Sequence, residues 1–365
     1  MAKRNPTTAR GGTLAQIASQ LGVSVMTVSN AYNRPDQLSA GLRERILETA
    51  RELGYAGPDP VARGLRRGRT GALGVIYDTR PSFVFQDANA VAFLEGLSSV
   101  LERAFMGLLL VPGAWPDHGQ ARPLDIALVD GFVVYSVAAT DRQVPIAVAR
   151  RPTVIVDQPR LTGTSFVGID DASAASAAAR HLLGLGHRRI AVITFALARD
   201  ASEGIATAAR QRAGTYEVTM ARLSGYRAAL SEAGITWSEI PVYECPGSSP
   251  RLGHRGANHL LAMRPAPSAL LATSDALALG SLHAAQELGL RVPADLSIIG
   301  FDDSPQASAA DPPLTTIHQP HTAKGRRAGH LLLKLLDDAS AASTDQLPAD
   351  LIVRASTAPP RRSPR

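Results

Sequence analysis

Cysteine is almost missing: Cys245 stands alone in 365 residues. An intrachain disulfide and a cysteine-based zinc site are therefore excluded, and the usage fits a reducing compartment. No apolar run reaches the roughly 18 residues a membrane-spanning helix needs. The opening MAKRNPTTARGG is basic but lacks the apolar core of a secretory signal, so it reads as a disordered, phosphate-attracting arm. Aromatic residues are scarce at 5%. Also absent are G-x-S-x-G, a P-loop, H-E-x-x-H and a G-x-G-x-x-G after the first strand. The chain is therefore expected to be no enzyme, to bind no metal and to use no cofactor.

What is present is an uneven charge. Residues 1–70 carry eleven Lys and Arg against five Asp and Glu, a surplus equal to the +6 of the whole chain, while the other 295 residues balance. A surplus confined to one end is the footprint of a nucleic-acid-binding head on a neutral body; a solvated basic tail is the alternative.

That end contains TLAQIASQLGVSVMTVSNAYN, Thr13 to Asn33. Thr13 and Gln16 have capping-box spacing, and Leu14, Ile17, Ala18 and Leu21 form one apolar helical face. Gly22 makes a turn, and Ser24 can cap a second helix whose Val25, Met26, Thr27, Ser29 and Asn30 give it a small, polar surface. Such a helix is poor core material but fits a DNA major groove. Residues 39–54 predict a third helix, with Ser39 as cap, Leu42, Ile46, Leu47, Ala50 and Leu53 inward, and Gly54 as stop. Asp59 and Pro60 then start a short helix over 61–67.

From Arg69 the composition changes to apolar strands alternating with Ala- and Leu-rich helices, the mark of parallel α/β layers. Strands are expected at 72–77, 107–111, 131–135, 153–157 and 166–169, then at 189–195, 240–244, 268–272 and 296–301. The clearest helices are 88–104, 171–185, 221–234, 252–263, 275–289 and 322–337.

The residues VSVMTVSNAYN, followed by ARELGY and ARGL at fixed distance, resemble the head and hinge of the LacI/GalR bacterial transcriptional regulators. The resemblance is dense over about the first eighty residues and continues to about residue 340 through GHRRIAVIT, RLSGYRAAL, TSDALALG and ELGLRVPADLSIIGFDD. It implies a small all-α helix-turn-helix head and an α/β body of two lobes, each a doubly wound parallel sheet of the type I periplasmic-binding-protein kind. The expected division is a disordered arm at 1–12, the head at 13–57, a hinge helix and linker at 58–70, an effector-binding and dimerisation body at 71–350, and a C-terminal strand with a disordered tail at 351–365. The first lobe is expected to hold about 71–168 with 302–322, the chain crossing back so that TTIHQP joins it, and the second about 169–301 with 323–350. Two departures stand out. The Pro- and Gly-rich stretch between strands 107–111 and 131–135 is short enough that its helix is expected to be truncated or lost, and 196–219 is a long polar insert expected to form a mobile flap over the cleft.

The resemblance also implies functional residues. Its DNA-binding set is Thr13, Ser24, Val25, Met26, Thr27, Ser29, Asn30, Asn33, Arg34, Arg43, Ala62, Leu65 and Arg66. Val25, Met26 and Asn30 fall at base-contacting positions, where Asn pairs with adenine and the other two make apolar contacts. Many relatives carry Arg at the position of Asn30, so a guanine-type contact is not carried over. Thr27 and Ser29 touch phosphate or cap locally, and Arg34 and Arg43 are phosphate candidates. Leu65 sits where the family wedges a leucine into the minor groove, or it is an ordinary linker residue. In the cleft, Arg222 and Asp275 match the family's effector contacts, although Asp275 would serve equally as a plain N-cap. Asp157, Ser136, Asp78, Phe83, Phe195, Tyr216 and Ser249 fall after strands or at matching cleft positions. His187 and His254 have no acid/base partner in sequence and read as structural or surface residues.

The implied function is a ligand-responsive regulator, a repressor that binds a palindromic operator in double-stranded DNA as a homodimer. A small sugar- or nucleoside-like effector in the interlobe cleft would control DNA affinity. The expected location is the cytoplasm, on the nucleoid when bound. The Pro- and Arg-rich end lacks heptads, which favours a dimer over a lac-type tetramer. The alternative is a solute-binding or sensor protein of the periplasmic-binding-protein type, which leaves the basic head and hinge unexplained.

Overall fold

The computed structural model describes residues 12–55, 57, 69–78, 84–112 and 128–361. Outside them lie residues 1–11 of the expected arm, residues 58–68 of the expected hinge with Ala62, Leu65 and Arg66, the cleft candidate Phe83, residues 113–127 of the shortened stretch, and residues 362–365 of the expected tail. The chain divides into two compact units, residues 1–70 and 71–365.

The first unit is built from α1 (Leu14–Leu21), α2 (Val25–Asn33) and α3 (Ala40–Glu52). Thr13 and Gln16 make the reciprocal capping box, Ser24 caps α2 by accepting from Thr27 N at 3.0 Å, and Ser39 caps α3. Each cap satisfies donors that the first helical turn leaves open. Gly22 ends α1 at φ +66, a conformation open to glycine at little cost. Ile17, Ala18, Val28, Ala31, Ile46 and Ala50 close a small core. Leu47, expected inward, lies outside that core, and the buried polar position on its helix is Thr49.

Among its described residues the second unit holds two large sheets and a small antiparallel pair, β11 (Thr316–Ile317) with β13 (Leu351–Ile352). Strands β1 (Ala72–Tyr77), β2 (Gly107–Pro112), β3 (Gly131–Tyr135), β4 (Thr153–Val156), β5 (Ser165–Ile169) and β12 (Thr344–Leu347) form a wholly parallel sheet in the order β12-β5-β4-β3-β1-β2. Strands β6 (Ile190–Thr194), β7 (Gly204–Ile205), β8 (Val242–Glu244), β9 (Ala269–Ala272) and β10 (Ser297–Ile299) form the other, ordered β10-β9-β6-β8-β7, with only β7 antiparallel. Alternate residues pack on opposite faces. Val75, Val133 and Val154 join one cluster of the first sheet while Ile76, Val134 and Ile155 join the other, so the strands read as continuous apolar runs buried on both sides.

The expected exchange between lobes is corrected. Helix His321–Asp337 packs with Ala88–Arg103 against the first sheet, and Thr344–Leu347 is that sheet's edge strand, so 323–350 does not belong to the second lobe. The two helices touch so closely that a Cβ on Gly96 would sit 2.0 Å from Thr322 O and one on Gly325 2.1 Å from Phe93 O. Conversely, Thr315 to Ile317 run beside the second sheet: Gly300 N bonds Thr315 O at 2.9 Å and Ile317 enters the core with Ile299 and Phe301.

Two further expectations change. Residues 196–219 are no free flap, because Gly204–Ile205 adds an edge strand to the second sheet and Ala208–Arg212 forms a helix. Arg210 there bonds buried Glu244 at 2.7 Å and Asp200 at 2.6 Å. The described part of the expected tail is also fixed. Ser356 is fully buried and donates to Ile298 O at 2.6 Å, while His187, in the structural role expected of it, bonds Ala358 O at 2.9 Å along with Ser268 and Ser297.

Candidate functional site

A cavity of about 600 Å³ lies between the carboxyl ends of the two sheets, the place where ligands enter open α/β folds. Asp78, Ser136, Asp157, Phe195, Tyr216, Arg222, Ser249 and Asp275 all line it, so every cleft candidate among the described residues converges on one volume. Asp78 follows β1, Ser136 follows β3, Asp157 follows β4 and Phe195 follows β6, each where a strand releases the chain. Ser249 and Ser274 cap the helices Pro250–Leu261 and Asp275–Glu287, whose first turns border the same space.

Backbone strain gathers here. Ser136 at φ 51, Asp157 at φ 65 and Asp302 at φ 127 are non-glycine residues with positive φ, a conformation costing of order 1–3 kcal/mol each that persists where the surroundings enforce it.

Arg222 is buried, and its guanidinium is held through Nε and Nη1. Its Nε donates to Asp171 at 2.8 Å and its Nη1 to Thr273 O at 2.5 Å, Asp302 lies at 3.8 Å, and the guanidinium stacks 3.7 Å over the Phe301 ring. Burial opposes its charge, but Asp171 and Asp302 outweigh burial and hold its pKa up. Burial pushes the Asp302 carboxyl up to about 7, against the pull of Arg222 and with the push of Asp275. The Asp275 carboxyl is also raised by burial. Its plain N-cap reading is corrected: Ser274 is the cap, and Asp275 accepts from Ser304 N at 2.7 Å and Thr316 Oγ1 at 2.6 Å, tying three segments together.

Sequence reasoning missed four residues that complete this floor. Asp302 accepts from Gln319 Nε2 at 2.7 Å, and Gln319 accepts in turn from Lys324 Nζ at 2.6 Å. Lys324 is fully buried and pairs with Asp157 at 2.6 Å, so a charged chain runs from the first sheet's Asp157 to the second lobe's Arg222. His321 lines the cavity, and neither of its ring nitrogens has a hydrogen-bond partner among the described residues; the same holds for the Tyr77 hydroxyl. Burial, with Lys324 and Arg222 nearby, keeps His321 neutral by lowering its pKa well below the usual range. It therefore offers one donor and one acceptor. The available signal was position: Asp302 follows a strand just as Asp157 does, and FDD marks it.

The lobes also meet across the mouth. Tyr216 and Arg199 both bond Asp78, Arg199 bonds Asp141 at 2.6 Å, and Val218 N bonds Gln158 Oε1 at 2.9 Å. Arg199 belongs to the ordered insert, so that segment helps to hold the lobes together.

In the first unit the candidates divide by what already occupies them. Thr13 and Ser24 spend their hydroxyls on caps, Thr27 bonds Ser24, and Asn33 bonds Ser29. Asn30 donates to Gln37 at 3.3 Å. Arg34 and Arg43 are exposed, and so, against the usual placing of apolar residues, are Val25 and Met26, the latter at 69%. The start of α2 is thus uncovered, which entry into a major groove requires, and its two exposed apolar side chains are of the kind that pack on thymine methyls.

Residues 13–57 match the family described as bacterial regulatory proteins, lacI family, and 179–357 match the periplasmic binding protein-like domain. An HTH-type transcriptional regulator of Mycobacterium tuberculosis is 42% identical over 90% of this chain and 92% of its own. The HTH-type transcriptional regulator IpsA of Corynebacterium glutamicum is also 42% identical, over 89% and 92%. A crystal structure of a LacI-family transcriptional regulator from Corynebacterium glutamicum is similar at a TM-score of 0.72 and 37% identity, covering 95% of this chain and 98% of that one. The transcriptional regulator CelR in its cellobiose complex is similar at 0.67 and 27%, covering 94% and 99%.

Proposed function

The chain belongs to the lacI family of bacterial regulatory proteins, and from that footing we propose that it is a cytoplasmic repressor whose hold on operator DNA is set by a small polar molecule in the interlobe cavity. The observation that carries this reading is that the eight described residues to which strand ends and the family resemblance point all line one cavity of about 600 Å³, a size suited to a small-molecule ligand. Phe195 offers an apolar face, Arg222 donors, the aspartates acceptors and His321 one of each. That set suits a polyhydroxylated ligand, a sugar or a nucleoside, and the cellobiose complex of the similar CelR favours a carbohydrate.

In this proposal two copies of the chain place their heads on the half-sites of a palindrome, as a two-fold axis requires. Val25, Met26 and Asn30 read base edges, while Thr13, Ser24, Thr27, Ser29, Asn33, Arg34 and Arg43 line the phosphate side. Ala62, Leu65 and Arg66 contact the DNA from the hinge, with Leu65 as the minor-groove wedge. Ligand acts by changing the angle between the lobes and with it the spacing of the hinges. Release of DNA on closure makes the ligand an inducer, and alignment of the hinges makes it a corepressor.

The test is operator binding by the full-length protein, titrated with a panel of neutral sugars and nucleosides whose binding is measured independently by calorimetry. A ligand that binds should shift operator affinity by about 5-fold or more in one direction, the usual span of coupling between sites. Calorimetric binding in the cavity with unchanged operator affinity would overturn the proposal.

A further inference from the structure

Away from the cavity, His254 from helix Pro250–Leu261 meets His283 and Glu287 from helix Asp275–Glu287. One nitrogen of each imidazole and a carboxylate oxygen all lie within 4.8 Å of one another. His254 Nε2 is 2.6 Å from Glu287 Oε2, His283 Nε2 is 3.1 Å from Glu287 Oε1, and the rings are 5.3 Å apart. We propose that these three side chains form a surface site for a divalent transition metal, with Zn²⁺ the best match to the donors.

The donor chemistry selects the ion. Two imidazoles and one carboxylate form a three-ligand set known for zinc, whereas calcium and magnesium require mostly oxygen. Tetrahedral zinc with bonds of about 2.0–2.1 Å sets its ligands about 3.3 Å apart. Atoms already within 4.8 Å reach that spacing by small rotations. Glu287 at 52% exposure and His283 at 65% have room to make them, and solvent supplies the remaining position.

The platform is fixed in advance. His283 and Glu287 stand four residues apart on one helix face, and the neighbouring helix is pressed against it. A Cβ on Gly280 would lie 2.0 Å from Pro250 O and 2.6 Å from His254 N, so the backbone bearing His254 cannot drift. Little ordering remains to oppose binding.

The competing description is a plain His–Glu–His ion-pair cluster, and the experiment separates the two. Zinc chloride is titrated into the full-length protein by calorimetry, beside thermal unfolding with and without zinc, with magnesium chloride as control. The proposal expects one zinc per chain, a rise in Tm with zinc because the ion binds the folded form, and no response to magnesium. His283→Ala, at an exposed position, should fold normally yet weaken zinc binding by about 100-fold or more, at or above what outer partners of a ligand are worth. Glu287→Gln, which keeps the side-chain shape, should also weaken it and abolish the rise in Tm. Absence of zinc binding, or binding that survives both substitutions unchanged, overturns the proposal.

Discussion

Arg222 and Asp302 face each other at 3.8 Å inside the cavity, the guanidinium stacked on Phe301 and held from the other side by Asp171. Both side chains border the cavity yet are buried, at 4% and 6% exposure. What each carries is set by the other and by burial, so this pair governs both the stability of the body and what the cavity can hold.

Arg222→Ala should be strongly destabilising, because it strands Asp171 and Asp302 in the interior. Removing one partner of a buried ion pair costs about 3–5 kcal/mol. Urea unfolding of the isolated substitution checks this. A cost below about 1 kcal/mol would mean that the guanidinium pairs no better than a surface residue.

Asp302→Asn should alter how stability depends on pH. The carboxyl sits at about 7 in the folded chain against an ordinary value of 3.8. A raised acid stabilises the fold fully below its unfolded value and loses that contribution as pH rises through 7. Wild type should therefore lose stability relative to Asp302→Asn between pH 5 and pH 8. The groups around Asp302, namely Arg222, Asp275, Asp87 and Asn89, remain in both proteins. Unfolding free energies at the two pH values give the comparison, and a constant difference would refute the assignment.

Arg210→Ala should loosen the insert. It removes two bonds to buried Glu244, leaving that carboxylate the Leu197 N–H at 2.8 Å, and it takes the guanidinium from Asp200, which keeps its hydrogen bonds with Ser202. The expected loss is about 1–3 kcal/mol, with faster proteolysis within 196–216. An unchanged cleavage pattern would show that the remaining contacts, β7 and Arg199 among them, anchor the segment without Arg210.

Much of this architecture is written in local pattern. The head announces itself through Thr13, Gln16, Ser24 and Ser39, whose caps form as the spacing predicts. The strands stand out because both faces are buried and the apolar runs are unbroken. Helix Gln143–Arg150 is not among the clearest sequence signals; it carries Pro145, which its first turn tolerates. The path of 302–350 was misread for a different reason. Thr344–Leu347 is an exposed polar edge strand with no apolar signature, so nothing local says which sheet it joins. The same crossing brings Gln319 and His321 to the cavity with Lys324 buried behind them, and a partnership made by tertiary folding leaves no spacing to find.

The most direct test of the central claim is selection of bound sequences from random duplex DNA by the purified full-length protein, run beside Asn30→Ala. The account predicts an enriched palindrome with two half-sites. It also predicts a change of preference at one position per half-site in the Asn30 variant, at about 1–3 kcal/mol for a bidentate base contact. Folded protein that binds DNA with no sequence enrichment, with and without cavity ligands, would contradict it.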